Sequence, residues 1–203
     1  MPLFSALLPD PGGERLVALG GDVRLYRGWL AAPQADALLA AIRRTTAWRQ
    51  ERRVMYDRTV DVPREQAWFG DAEFCDRPFT PELDAVRAAL EDLTGERFRH
   101  VLLNRYRNGA DSVAWHSDRE GAGLAQPVIG SLTLGVTRAF DLRPKADRTR
   151  VISVDLDHGD LLVMRGETQT GWEHRVGKDP RIAGERINLT FRQRPERAVE
   201  GLS

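Results

Sequence analysis

The sequence predicts a mainly β fold with flanking helices, an α+β chain whose β part is a small antiparallel sandwich or jelly roll. Two observations carry this. Up to Gly95 apolar residues recur at helical spacing; beyond it they fall into short alternating or apolar runs separated by turn residues. The runs are Phe98 to Tyr106, Ile129 to Val136, Ala139 to Leu142, Val151 to Leu156, Leu161 to Met164 and Ile187 to Arg192. Strands this short and this evenly spaced suit a sandwich or jelly roll, whose mouth can hold a small site.

The helices have local signals. Pro33 suits a first helical position, Leu38, Leu39 and Ile42 share a face, and Arg43 and Arg44 complement a helix C-terminus, so a helix is expected near residues 33 to 44. A second starts with Thr80 as N-cap and Pro81 as first residue, carries Leu83, Val86, Leu90 and Leu93 on one face and stops at Gly95. A chain of 203 residues is long enough for one domain with a sizeable core, and no repeat or low-complexity linker divides it. The expected organisation is one domain over 1–203, with a helical front (1–97), a β-core (98–194) and a tail (195–203).

Composition narrows the class. Hydrophobic residues are 41% and charged residues 30%, near soluble averages, and no stretch has the apolar length of a membrane span. The opening segment MPLFSALLPDPGGERL lacks basic residues ahead of its apolar patch and reads as a loose leader of a cytoplasmic protein. Cys75 stands alone, which excludes an intrachain disulfide and a cysteine-based zinc site. Thirty basic residues balance thirty acidic ones, so net charge argues for no partner. Between Arg43 and Arg64, however, seven arginines face three acids, a local excess that suits either a phosphate-tracking edge or a solvated helix end and loop. A monomer is the default expectation.

His116, Ser117 and Asp118 follow the turn-rich segment Asn108 to Asp111. Spacing of two places His116 and Asp118 on one side of an extended chain, where an imidazole and a carboxylate can hold one metal. His174 is the best third ligand. Two histidines and a carboxylate on one face of a metal suit a non-heme iron(II) oxygenase. Alone, the His-x-Asp pair is a weak signal and more often means surface hydrogen bonding. His100, opening an apolar strand, and His158, in a turn, are assigned to no metal. In the run Arg186 to Arg192, period two puts Ile187, Leu189 and Phe191 on one face and Arg186, Asn188, Thr190 and Arg192 on the other. The polar face turns either to water or inward. If inward, its arginines require anionic partners, which a dicarboxylate cosubstrate would supply. Asn104 and Tyr106 share a strand face and could donate to the same carboxylates.

Asn104-Arg105-Tyr106, His116-Ser117-Asp118, His158-Gly159-Asp160, the lone His174, and Arg186 to Gln193 together resemble the AlkB-like alkylation-repair dioxygenases. A weaker resemblance covers Val62 to Gln66 and Phe69 to Asp71, which look like the nucleotide-recognition segment of duplex-repairing members. The resemblance implies a double-stranded β-helix (jelly roll) core with a nucleotide-recognition lid in the front part. It implies that His116, Asp118 and His174 hold iron(II), and that Asn104, Tyr106, Arg186, Asn188 and Arg192, helped by Thr190, hold 2-oxoglutarate. The implied reaction consumes dioxygen, gives succinate and carbon dioxide, and hydroxylates an N-alkyl carbon so that an aldehyde leaves and the base is restored.

The implied partner is alkylated DNA, single or double stranded, with RNA left open, and the target base must be flipped out or already unpaired. For stacking on it the expectation falls on Trp68, Phe69 and Phe74, with Phe74 or Trp68 opposite His116, against an equal prospect that all three are core aromatics. Glu120 resembles an acidic residue near the lesion, and equally suits a solvated loop. The stretch from Gly70 to Phe79 is shorter than in duplex-repairing relatives. A protein side chain or a small molecule is the alternative substrate of the same iron chemistry.

Overall fold

A computed structural model describes residues 13–17, 20–55, 58–118, 124 and 126–194. In chain order the strands and helices of its first half are β1 (Glu14–Val17), β2 (Asp22–Tyr26), α1 (Ala32–Thr45), β3 (Arg52–Met55), β4 (Arg58–Asp61), β5 (Glu65–Gly70) and α2 (Pro81–Thr94). There follow β6 (His100–Tyr106), β7 (Val113–His116), β8 (Ile129–Gly135), β9 (Arg138–Pro144), β10 (Ile152–Leu156), β11 (Leu161–Arg165), the single turn α3 (Thr168–Gly171), β12 (Trp172–Val176) and β13 (Arg186–Arg192). Among the described residues the strands form a large sheet in the order β1-β2-β11-β8-β13-β6-β5, a small sheet β10-β9-β12-β7, and the separate hairpin β3-β4. A large and a small antiparallel sheet enclosing a common core is the jelly-roll arrangement.

Both helices form where their sequence signals place them. The Thr80 hydroxyl accepts the Leu83 amide at 3.4 Å, Pro81 occupies the first turn, and Gly95 closes α2 in the left-handed region at φ 72°, a conformation that costs glycine little. Leu83, Val86 and Leu90 of α2 and Leu38, Leu39 and Ile42 of α1 cover the outer face of the large sheet, packing with Ala67, Phe69, Val101, Leu103, Ile187, Leu189 and Phe191. A second apolar cluster lies between the sheets, where Val23, Leu25, Leu162 and Met164 meet Phe140, Leu142, Val154, Leu156 and Trp172.

The front of the chain is not purely helical, contrary to the expectation for residues 1–97. It contributes β1, β2 and β5 to the large sheet and the hairpin β3-β4 besides its two helices. The segment expected as a recognition lid is in part the edge strand β5, paired with β6 from Glu65↔Arg105 to Gly70↔His100. Both of its faces are covered, by helices outside and by the cavity within, so its sequence lacks the apolar-polar alternation of a half-exposed strand.

Candidate metal and cosubstrate site

Adjacent strands bring the polar residues into rows across the inner face of the large sheet. Antiparallel register sets Gln66 opposite Asn104, Asn104 opposite Asn188, and Asn188 opposite Thr133; in the next row stand Trp68, Leu102, Thr190 and Ser131. Every residue of β13 is buried, so its polar face points into the molecule. From the small sheet, β7 and β12 pair with His116 opposite His174. Between the sheets lies a cavity of about 960 Å³, the upper end of the range of small-ligand sites.

His116, Asp118 and His174 offer one ligand atom each, all within 4.8 Å of one another. The Asp118 Oδ1 atom stands 3.5 Å from His116 Nε2 and 3.9 Å from His174 Nε2. The His116 Nδ1 donates to the Ala114 carbonyl at 2.9 Å, which presents Nε2 to the cluster. Phe140 stacks on the His174 ring at 5.3 Å. Asp118 is held by two side chains: its amide donates to Gln169 Oε1 at 2.9 Å, and Arg192 approaches its Oδ2 through Nη2 at 3.1 Å and Nε at 3.3 Å. Gln169 is in turn fixed by donating to the Met164 sulfur, and Ser117 donates to the Trp172 carbonyl at 2.7 Å.

The protonation states suit a cation. Burial alone would raise the Asp118 pKa, but the Arg192 guanidinium and the two histidines outweigh it and hold the carboxyl well below the usual range. Burial lowers His174 to about 4, so at neutral pH it carries a free lone pair. A carboxylate and neutral imidazoles are the forms that bind a divalent metal.

Arg186 shows where an anion fits. Its side chain is 1% exposed, and its Nη2 donates to Thr133 Oγ1 at 2.9 Å and Asn188 Oδ1 at 2.7 Å, whereas its Nε has no hydrogen-bond partner. Burial lowers its pKa to about 10, and among the described residues no carboxylate pairs with it. A guanidinium buried without an acid is costly, and a ligand carboxylate would relieve it. Asn188 is itself fixed, accepting from Ser131 and donating to Thr190. The Asn104 carbonyl oxygen accepts from both Arg64 and Gln66 at 2.9 Å, leaving its NH2 group to serve the cavity. Tyr106 lines the same end.

Several expectations change. Arg192, expected on the cosubstrate, lines the cavity and also grips Asp118, because it lies in the row of β13 nearest that carboxylate. Phe69 does not face the cavity: alternation along β5 turns Gln66 and Trp68 inward and sends Phe69 into the core beneath the helices. Trp68 lines the cavity, with His100 stacked against it at 5.5 Å. Phe74 is absent from the cavity wall; it lies in the turn after Asp71, with the Arg194 guanidinium 5.7 Å from its ring centre. Glu120 lies outside the described residues. The arginine-rich edge is not one continuous track, since Arg43 pairs with Glu185, Arg52 with Asp61, and Arg64 turns inward to Asn104. Sequence reasoning missed Gln169, Ser131 and Thr133, polar residues without a motif of their own, and placed Gln66 in the recognition segment rather than beside Asn104.

His100 supplies a stability test. It is 2% exposed with neither ring nitrogen hydrogen-bonded, and burial, with Arg192 and Arg194 nearby, lowers its pKa from 6.5 to about 3. Below pH 6.5 the unfolded chain binds a proton that the folded chain refuses until about pH 3, so stability falls as pH drops through that window. The slope from this group approaches about 1.4 kcal/mol per pH unit. Urea unfolding of His100→Phe is expected to show higher stability than wild type at pH 7 and a wider gap at pH 5. Parallel pH profiles of the two proteins would contradict this.

Comparison with known proteins agrees with this geometry. A family profile described as the 2OG-Fe(II) oxygenase superfamily matches residues 22–192. The chain is 38% identical over 186 residues to the alpha-ketoglutarate-dependent dioxygenase alkB homolog 3 of Homo sapiens, covering 84% of this chain and 65% of the relative. It is 34% identical over 148 residues to the DNA oxidative demethylase ALKBH2 of Homo sapiens, covering 65% of this chain and 57% of that protein. The chain thus spans less than two thirds of the length of these relatives. The solved structure of OsALKBH1 superimposes with a TM-score of 0.59 over 84% of this chain and 97% of that one, and at 19% identity this likeness concerns the fold alone.

Proposed function

The chain belongs to the 2OG-Fe(II) oxygenase superfamily as an AlkB-like member, and from that premise we propose that it oxidatively removes alkyl groups from nitrogen atoms of nucleic-acid bases, DNA first. The observation that carries the proposal is the juxtaposition of two sites in one cavity: the His116, Asp118, His174 cluster and the buried Arg186, which pairs with no acid among the described residues. When bound, iron(II) with 2-oxoglutarate and dioxygen supplies the oxidising power that hydroxylates an inert N-alkyl carbon.

The residues then have distinct tasks. His116, Asp118 and His174 would hold the metal; Arg192 grips the Asp118 carboxylate at Oδ2, and Gln169 fixes the backbone there by accepting from the Asp118 amide. Arg186 takes the far carboxylate of the cosubstrate, with Tyr106 and the Asn104 NH2 group as further donors and Asn188 and Thr190 orienting the guanidinium. Trp68, braced by His100, is the aromatic wall on which a flipped base stacks. The names of the relatives support nucleic acid as the substrate class.

The test offers the protein, with iron(II), ascorbate and 2-oxoglutarate, single-stranded and duplex oligonucleotides carrying one N-methylated base, and follows oligonucleotide mass. Loss of one methyl mass that requires 2-oxoglutarate and is absent in His116→Ala is the expected result. Succinate formation with no change of mass would move the substrate to a protein or small molecule while keeping the metal reading.

A further inference from the structure

We infer that Arg138 is a positioning residue that sets the spacing of the two histidine strands and of the cosubstrate tyrosine. This rests on the reading of His116, Asp118 and His174 as the metal set. Arg138 opens β9 on its inner side, is 2% exposed, and does not itself line the cavity. Its guanidinium donates to three backbone carbonyls: Nη1 to Asn108 at 3.1 Å, and Nη2 to Asp111 at 3.0 Å and to Gly177 at 2.6 Å. These carbonyls sit at the roots of the two strands. Asn108 and Asp111 bracket the turn that leads into β7 and His116, and Gly177 directly follows β12, which carries His174. The same guanidinium lies 5.7 Å from the Tyr106 ring centre, and Arg186 lies 5.4 Å from it.

One cation therefore ties together three segments that share no continuous hydrogen-bond ladder at this end. The pairing of β12 with β7 sets His174 opposite His116 but shifts register before Val176 meets Val113, so the ladder is irregular at the end of the two strands that Arg138 clamps. The turn is also clamped from its other side, where the Gly109 amide donates to the Ile182 carbonyl and the Gly109 carbonyl accepts from Asp179. A methyl group at Gly109 would stand 1.7 Å from the Asp179 carbonyl oxygen, so the turn has one seating against that loop. Arg138 converts this single seating into a fixed separation of the metal-binding strands. A lysine could reach one or two of the three carbonyls; a methionine, none.

The experiment is anaerobic calorimetry of manganese(II), then of 2-oxoglutarate, on the full chain and its Arg138→Met, Arg138→Lys and Leu90→Ala variants, with melting midpoints for each. Arg138→Met is expected to weaken both ligands about tenfold or more, the range found when groups orienting metal ligands are removed. Arg138→Lys should recover part of that loss. Leu90→Ala, a core truncation between α2 and the sheet, should lower the melting midpoint without moving either affinity. Wild-type affinities in a folded Arg138→Met protein, or equal weakening in Leu90→Ala, would overturn the inference alone. A wild-type protein that binds no manganese(II) would overturn the metal reading on which it stands.

Discussion

Asp118→Ala is expected to abolish base dealkylation and manganese(II) binding together, while the chain still folds. The carboxylate supplies the negative charge of the metal cluster, and two imidazole rings 4.4 Å apart cannot replace it. Arg192 also loses the carboxylate it grips. Breaking a buried ion pair from one side costs about 3–5 kcal/mol, so the melting midpoint of the metal-free variant should fall visibly. Asp118→Asn separates the effects: it keeps the shape beside Arg192 and Gln169 but not the charge, so it should recover part of the stability and none of the turnover. Turnover in either folded variant would sink the ligand assignment.

Arg186→Ala should act on the cosubstrate instead. A hydrogen-bonded charge pair contributes about 1.5–3 kcal/mol, so the 2-oxoglutarate affinity measured by calorimetry is expected to fall by about 10- to 150-fold, with manganese(II) affinity kept. Folding should suffer little or even improve, because the substitution removes a buried guanidinium that has no acidic partner among the described residues. Arg186→Lys keeps the charge but loses the planar fork and should fall between the two. Equal loss of metal and cosubstrate affinity would mean that Arg186 holds the site's shape rather than the ligand.

The parts of this fold that were legible in the sequence carry their own local signals. Thr80, Pro81 and Gly95 bracket α2 by capping chemistry, and the runs that became β6, β8, β9, β10, β11 and β13 are apolar enough to stand out. The strands that escaped notice include those that carry the candidate chemistry. In β12, Trp172, His174 and Val176 point inward; a histidine where an apolar residue would complete the alternation hides the strand. In β7, Val113 and His116 meet their partners across an irregular register, which breaks period two outright. Beside the site, polarity on the inner face of β13 was readable, but not which anion each arginine meets. That depends on which strand lies opposite: Arg192 reaches Asp118, and Arg186, six residues before it on β13, faces Tyr106 of β6. Gln169 and Arg138 were illegible for a similar reason, since a lone glutamine or arginine announces nothing until the backbone groups it binds are in place.

The position of β13 has a bearing on how the chain can be made. It is the last strand of the described chain and also lies in the middle of the large sheet, between β6 and β8. During synthesis β6 and β8 must wait with open edges until residues 186–192 emerge, and open edges are where chains stick to one another. Its partners lie far back in sequence, as do those of β2, which pairs with β11, and such distant pairings fold slowly. A chain released before residue 186 would therefore lack more than this one strand. It would be a substrate for chaperones and proteases, and no shortened form of this domain ending there should accumulate as soluble protein.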